Sequence, residues 1–377
     1  MLISPDRLFD GSQFHENVTL KISQGRIHEI VSKRMADAVQ LDGTLTAGFI
    51  DCQVNGGGGK LFNTEPTVTT LEVMMQAHAH FGTTSLLPTL ITDSIQTMQL
   101  AADAVADALH HGLPGILGLH FEGPHLSEPK KGVHPAPHIR DLTDNERQLY
   151  RRNDVGIRLV TLAPERVEDA AIRELLHLGV KVSIGHSNAC YERTGEVLAL
   201  GVDGFTHLFN AMSPFTSREP GVVGAALLSE QAHCSLILDG HHTHFAAAKL
   251  AHRMKAKGKL FLVTDAMSTI GCEQKEFDLF GVTVKRDEGK LTTPDGTLAG
   301  SALDMMTAVK NAVTELALDL EEALNMASLY PAQYLGIDAS YGSISPGKRA
   351  DFVLFDSDFK LKKTWIGGDL VFDAELG

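Results

Sequence analysis

Two histidines, His186 and His207, end two short apolar runs, Val180–Ile184 and Gly204–Thr206, in the segment VSIGHSNACYERTGEVLALGVDGFTHLFNAM. The stretch between them, Ala189–Leu200, reads as a helix, with apolar Val197, Leu198 and Leu200 and a glycine stop at Gly201. A parallel strand pair joined by a crossover helix brings both strand ends to one edge of the sheet. The imidazoles, 21 positions apart, then land side by side. One histidine at a strand end is usually a hydrogen-bonded structural residue. Two in successive units favour a metal site, because imidazole is the commonest protein ligand for such ions.

The elements that must hold these histidines recur along the chain. Strand-like runs at Gly48–Val54, Thr84–Leu90, Ile116–Phe121, Ile157–Leu162, Val180–Ile184, Gly204–His207, Ser235–Leu238 and Leu260–Thr264 alternate with helical patterns. Those patterns include Thr70–Phe81, Ser94–His110, Ala170–Leu178, Phe245–Lys257 and Leu303–Ala317. Eight strand units, most followed by a helix, predict an α/β fold with a (β/α)8 barrel over residues 47–343. A doubly wound sheet is the alternative, but it would normally carry GxGxxG after its first strand. The Gly56–Gly59 run lacks that spacing and is expected to be a loose loop.

The two ends of the chain read differently. VTLKISQGRIHEIV is a hairpin pattern around Gln24–Gly25, and Gly342–Phe372 is again short alternating strands. Neither end can bury a core alone. Residues 1–46 and 344–377 are therefore expected to form one small β-sandwich, with the barrel inserted between them.

In such a barrel the catalytic residues stand at the carboxyl ends of the strands. Strand one ends in Asp51, Gln53 and Asn55, strand three in His120 and Glu122, and strands five and six in His186 and His207. Strand seven gives Asp239 with His241, His242 and His244, and strand eight gives Asp265. Ligand-capable side chains thus converge on one rim, while the strand interiors are Val, Ile and Leu.

A net charge of −14 argues against a nucleic-acid surface. It leaves room for a small anionic substrate in a locally positive pocket. Apolar runs fall well short of a membrane span, and MLISPDRLFDG lacks the pattern of a secretory signal. Cys52, Cys190, Cys234 and Cys272 form no CxxC pair, so reduced thiols in a cytoplasmic protein are expected.

The motifs DCQVNG, HFEGPHLSEPKKGVHP, GHS, THLFNAM, REPG, DGHH and TDAM occur in order along the chain, followed by GSISPGKRADFVLFD. This set resembles the N-acetylglucosamine-6-phosphate deacetylases of the amidohydrolase superfamily. The resemblance implies Glu122, His186 and His207 as ligands of one divalent ion per chain, zinc, with ferrous iron as the alternative. One carboxylate and two imidazoles leave a position open, which is the layout of a catalytic site.

The same resemblance implies Asp265 as the group that takes a proton from water and returns it to the leaving amine. His134 would polarise the acetyl oxygen, with Val133 part of that contact. Asn210, Ala211, Arg218, Asp239 and His242 are placed around the sugar phosphate, and Ala299, Gly300 and Ser301 along the substrate. In the resembled family the arginine matching Arg218 comes from a neighbouring subunit, which implies a homodimer. Many amidohydrolases carry His-x-His on strand one to hold a second metal. Gln53 and Asn55 stand there in this chain, and amides are poor zinc ligands, so one ion is expected.

Two other readings stand beside the glucosamine enzyme. One is a deacetylase of the galactosamine epimer, which differs by the orientation of one hydroxyl. The other is a non-catalytic sugar-phosphate binder on a decayed barrel. Decay would be expected to remove Asp265 or a metal ligand, and all are present.

Overall fold

The structure, a computed structural model, describes residues 1–376. Eight parallel strands follow one another in sequence order: β1 (Phe49–Val54), β2 (Thr83–Ile91), β3 (Gly118–Glu122), β4 (Ile157–Leu162), β5 (Lys181–Ile184), β6 (Gly204–Phe205), β7 (His233–Leu236) and β8 (Leu260–Leu262). Beyond β8 the chain returns to β1 through the Val54–Ala266 bridge and the Asp265 N–H to Gln53 O hydrogen bond of 2.9 Å, which closes the barrel. β1, β2 and β3 are buried at every residue. Helices cover the outside and side chains fill the inside, so both faces of these strands are buried, polar Asp51, Gln53, His120 and Glu122 included.

The surrounding helices start where their caps place them. Ser94 accepts the Thr97 N–H at 3.1 Å and opens Ile95–His110. That helix buries Met98, Ala101, Ala102, Val105 and Ala108 on one stripe. Asp304 accepts the Thr307 N–H at 2.8 Å and opens Met305–Thr314 in the same way. Each such cap contributes about 1 kcal/mol.

Strands from both termini pair in one sheet, in the order Asp369–Asp373, Leu361–Ile366, Phe352–Phe355, Val39–Ala47, Leu2–Phe9, Thr19–Ser23 and Arg26–Val31, with Phe14–Glu16 beside Leu2–Phe9. Ile3, Leu20, Ile27, Leu45, Phe352 and Trp365 share an apolar cluster separate from that of the barrel. The turn at Gln24 and Gly25 has φ of 49° and 71°, the left-handed pair that joins strands through a tight hairpin.

Two segments differ from expectation. Residues 276–301 form a four-stranded antiparallel sheet (Glu276–Leu279, Val282–Asp287, Lys290–Thr292 and Leu298–Ser301) between β8 and the helix Met305–Thr314. The Gly56–Gly59 run, expected to be loose, is a tight hairpin in which Gly56–Gly57 pairs with Lys60–Leu61. Gly58 N–H donates to Ile270 O at 2.7 Å and Gly59 N–H to Ser268 O at 2.8 Å. A Cβ at Gly56 would sit 2.3 Å from Lys60 O, so the run is glycine because backbone passes so close.

His78 anchors that hairpin by donating from Nε2 to Gly56 O at 2.8 Å. His125 donates from Nδ1 to Arg140 O at 3.0 Å and lies 3.2 Å from the Tyr150 hydroxyl. Burial pushes both imidazoles down to about 4, from 6.5. The unfolded chain then holds more protons than the folded one between those values. Stability is full above pH 6.5 and is lost towards pH 4, by about 1.4 kcal/mol per pH unit for each histidine. A His78→Gln variant should show a shallower acid dependence of its unfolding midpoint. Slopes equal to wild type would contradict this.

Candidate metal and catalytic site

Glu122 ends β3, His186 stands two residues beyond β5, and His207 two residues beyond β6. All three are buried. Glu122 Oε1 lies 3.2 Å from His186 Nε2 and 2.9 Å from His207 Nε2, and the two Nε2 atoms are 3.0 Å apart. Ligand bonds of about 2.1 Å at tetrahedral angles place donor atoms about 3.4 Å apart, so this triangle needs to open by only a few tenths of an ångström to take a single zinc-sized ion. His186 donates from Nδ1 to Lys130 O at 2.8 Å, which leaves its Nε2 lone pair free to ligate. Burial alone would raise Glu122, but hydrogen bonds from His186 and His207 hold it well below the usual carboxylate range. Burial lowers His207, and the Glu122 carboxylate outweighs that and raises it.

The backbone at this rim is unusual. His186, His207, Ala211 and Asp265 have φ of 47°, 38°, 49° and 53°, in the left-handed region that residues with a Cβ seldom adopt. Such strain costs on the order of 1–3 kcal/mol per residue and persists where the surroundings dictate it, chiefly at functional sites. Here the turn out of each strand is what swings the side chain inward.

Asp265 stands beside the triad. Its Oδ1 accepts from Asn55 Nδ2 at 2.6 Å and Gln53 Nε2 at 3.2 Å, while Gln53 Nε2 also lies 3.0 Å from Glu122 Oε1. Burial and the Glu122 charge push Asp265 up to about 6, against the pull of His207, His242 and Asn55. A carboxylate so placed exchanges protons near neutral pH.

His134 is tied to Thr92, whose backbone N–H donates to His134 Nδ1 at 3.3 Å and whose hydroxyl lies 2.9 Å from the same nitrogen. Nδ1 is thereby the acceptor, and the proton resides on Nε2. The His134 and His186 rings are 4.4 Å apart between centroids. His120, also at a strand end, is used up inside the barrel. Its Nδ1 lies 3.1 Å from Cys52 O, and its Nε2 lies 2.8 Å from the Thr161 hydroxyl.

These groups open on a cavity of about 230 Å³. Val133, Asn210, Ala211, His242 and Gly300 line it together with the triad, His134 and Asp265. Asp239 is one step back, and its Oδ2 accepts from His242 Nδ1 at 2.6 Å while Oδ1 accepts the His241 and His242 N–H groups. Ala299 packs against Phe277 and Leu279. Ser301 donates from its hydroxyl to Thr264 O at 2.5 Å and its N–H to Asp265 O, so it holds the loop that carries Asp265. Arg218 is exposed on the loop between His207 and the helix Gly221–Leu228 and does not line this cavity. Sequence reasoning missed Ile91, Ile237, Met267, Thr297 and Leu298, which also line the cavity. Ile91, Ile237, Met267 and Leu298 are apolar, and such residues offer no signal that separates a pocket wall from a core; Thr297 is a loop threonine like many others in the chain.

A larger hollow of about 1040 Å³ lies at the opposite end of the barrel, beside Leu260, His252 and Glu322. Among the described residues, Glu122, His186 and His207 are the group suited to a metal, and they are not there.

The amidohydrolase family model matches residues 44–371, nearly the whole chain. This protein belongs to the amidohydrolase family. The amidohydrolase is 52% identical over 333 residues to an N-acetylgalactosamine-6-phosphate deacetylase of Shewanella sp. (strain ANA-3), covering 88% of this chain and 84% of that one. It is 38% identical over 327 residues to an N-acetylglucosamine-6-phosphate deacetylase of Haemophilus influenzae, covering 86% and 85%. The crystal structure of the N-acetylglucosamine-6-phosphate deacetylase from Pasteurella multocida superposes with a TM-score of 0.94 at 36% identity, over 98% of this chain and 99% of that one.

Proposed function

We propose that this amidohydrolase hydrolyses N-acetyl-D-glucosamine 6-phosphate to D-glucosamine 6-phosphate and acetate. The observation that carries this reading is the meeting of Glu122, His186, His207 and Asp265 in one buried pocket, in a chain whose relatives bear deacetylase names. Glu122, His186 and His207 would hold one divalent ion, zinc. The ion supplies Lewis-acid activation of water and of the acetyl carbonyl when bound.

The chain's own groups complete the reaction. Asp265 accepts a proton as the water oxygen bonds to the acetyl carbon. His134 donates a hydrogen bond from Nε2 to the acetyl oxygen as negative charge gathers there. Asp265 then returns the proton to nitrogen as the C–N bond breaks, and acetate and the free amine leave. His242, held by Asp239, and the Asn210–Ala211 turn face the phosphate end, while Leu298 and Gly300, in the strand Leu298–Ser301 that Ala299 and Ser301 anchor, wall the sugar.

The galactosamine epimer is the second reading, favoured by the 52% identity to the Shewanella enzyme. Comparing kcat/KM on the two N-acetylhexosamine 6-phosphates decides between them. A higher value on the galacto compound would overturn the gluco assignment.

The reading includes a cytoplasmic homodimer, a sandwich of residues 1–46 with 344–377, and a barrel of residues 47–343. No helix among the described residues is long and apolar enough to cross a membrane. The exposed Phe215, Arg218 and Leu228 lie on one loop-and-helix segment, which supports an interface through which Arg218 reaches the partner's substrate phosphate. Arg218→Ala should raise KM for the phosphorylated sugar and leave the unphosphorylated sugar unaffected. Mixing Arg218→Ala with Asp265→Asn chains should restore activity, because one site of the mixed dimer then carries neither lesion. No recovery, with subunit exchange confirmed, would make Arg218 a residue of its own pocket.

A further inference from the structure

Strand β1 sends three alternate polar side chains, Asp51, Gln53 and Asn55, towards the end of β8, and all three are buried. Asp51 Oδ2 accepts the Thr264 hydroxyl at 2.5 Å and Oδ1 the Thr264 N–H at 3.2 Å, which fastens the residue before Asp265. Asn55 Nδ2 and Gln53 Nε2 both donate to Oδ1 of Asp265. Neither donates to Oδ2. Gln53 also donates to Glu122 Oε1, so its NH2 group lies between two carboxylates that would otherwise repel.

The amide orientation is informative. Gln53 Oε1 and Asn55 Oδ1 are buried without any hydrogen-bond partner. Flipping either amide would turn an oxygen towards a carboxylate, so the nitrogens face Asp265 although the oxygens go unsatisfied. The carboxylate torsion of aspartate is intrinsically broad. Two N–H donors on one oxygen, both from buried side chains, remove that freedom.

We infer that Gln53 and Asn55 are positioning residues that clamp Oδ1 of Asp265, so that Oδ2 is the oxygen presented to the attacking water. This deepens the deacetylase reading and rests on it. The pair gives strand one a working role in the reaction: the two amides stand between and against the carboxylates as donors.

The test uses Asn55→Leu and Gln53→Met, which keep approximate shape and remove the donor, in wild-type and Asp265→Asn backgrounds. In the wild-type background kcat per bound ion should fall about 10- to 100-fold, the worth of a charge-assisted hydrogen bond. KM should stay within about twofold, because leucine keeps the approximate shape of the wall that Asn55 provides and Gln53 does not line the cavity. In the Asp265→Asn background Asn55→Leu should cost no further effect, since the oxygen it positions has lost its role, and Gln53→Met should keep only the smaller part of its effect that comes from its Glu122 contact. A crystal structure of Asn55→Leu should show the Asp265 carboxylate rotated. Undiminished kcat in both variants, equal losses in both backgrounds, or an unmoved carboxylate would overturn the inference. Gln53→Met carries the test if Asn55→Leu does not fold. A wild-type protein that releases no acetate from either epimer refutes the deacetylase reading instead, and the carboxylate position then decides the clamp alone.

Discussion

Asp265→Asn is expected to keep the fold and the ion while kcat falls at least the ~10²-fold typical of a lost general base. The substitution conserves shape, and the Asp265 backbone is held independently by Gln53 O and Ser301 N–H. What disappears is the capacity to take a proton from water and return it to the amine. The Asn55 and Gln53 donors would then face an amide rather than a carboxylate, which adds to the loss. KM should change little. A variant turning over near the wild-type rate would falsify the assignment of Asp265 as the base.

The second large effect belongs to Glu122→Gln. Glu122 Oε1 is within 3.2 Å of both imidazole nitrogens, and its charge raises His207 against the lowering effect of burial. An amide of the same shape cannot offset a divalent charge. Metal affinity should drop by more than the ~10- to 100-fold that outer contacts of such sites are worth. Turnover should fall with it. Elemental analysis is expected to find one ion per wild-type chain, because Gln53 and Asn55 turn N–H groups, not lone pairs, towards Asp265 and Glu122. Two tightly bound ions per active chain, or full occupancy in Glu122→Gln, would contradict this account.

The barrel was legible because short strand-like runs recur between helical patterns, and several of them change character abruptly at their ends. Ile184 gives way to His186, Phe205 to His207, and Leu262 to Asp265 within three residues. Strand ends were displaced by up to two residues, since a run such as Ser235–Leu238 continues apolar past the last ladder bond of β7, at Leu236. The meeting of His186 and His207 was readable from residue type and spacing, while Glu122 joined them only through the family resemblance; the three do lie together as a group that could hold a metal. The left-handed backbone at His186, His207 and Asp265 was not readable, because no residue type announces it when glycine is absent.

The sheet of residues 276–301 escaped notice for a different reason. Val282–Asp287 is exposed except at Val284, so little apolar alternation marks it. The Gly56–Gly59 hairpin carries no side-chain pattern at all, and its order comes from distant partners, Ile270 and Ser268. Arg218 shows the limit from the other side. Its residue type suits a phosphate, yet it stands on an exposed loop outside the cavity.

The most direct test of the central claim is hydrolysis of N-acetylglucosamine 6-phosphate by the purified wild-type protein in ¹⁸O-labelled water, with both products analysed by mass spectrometry. The account predicts acetate carrying one solvent oxygen and an equal amount of unlabelled glucosamine 6-phosphate. No acetate, or acetate without solvent oxygen, would contradict it.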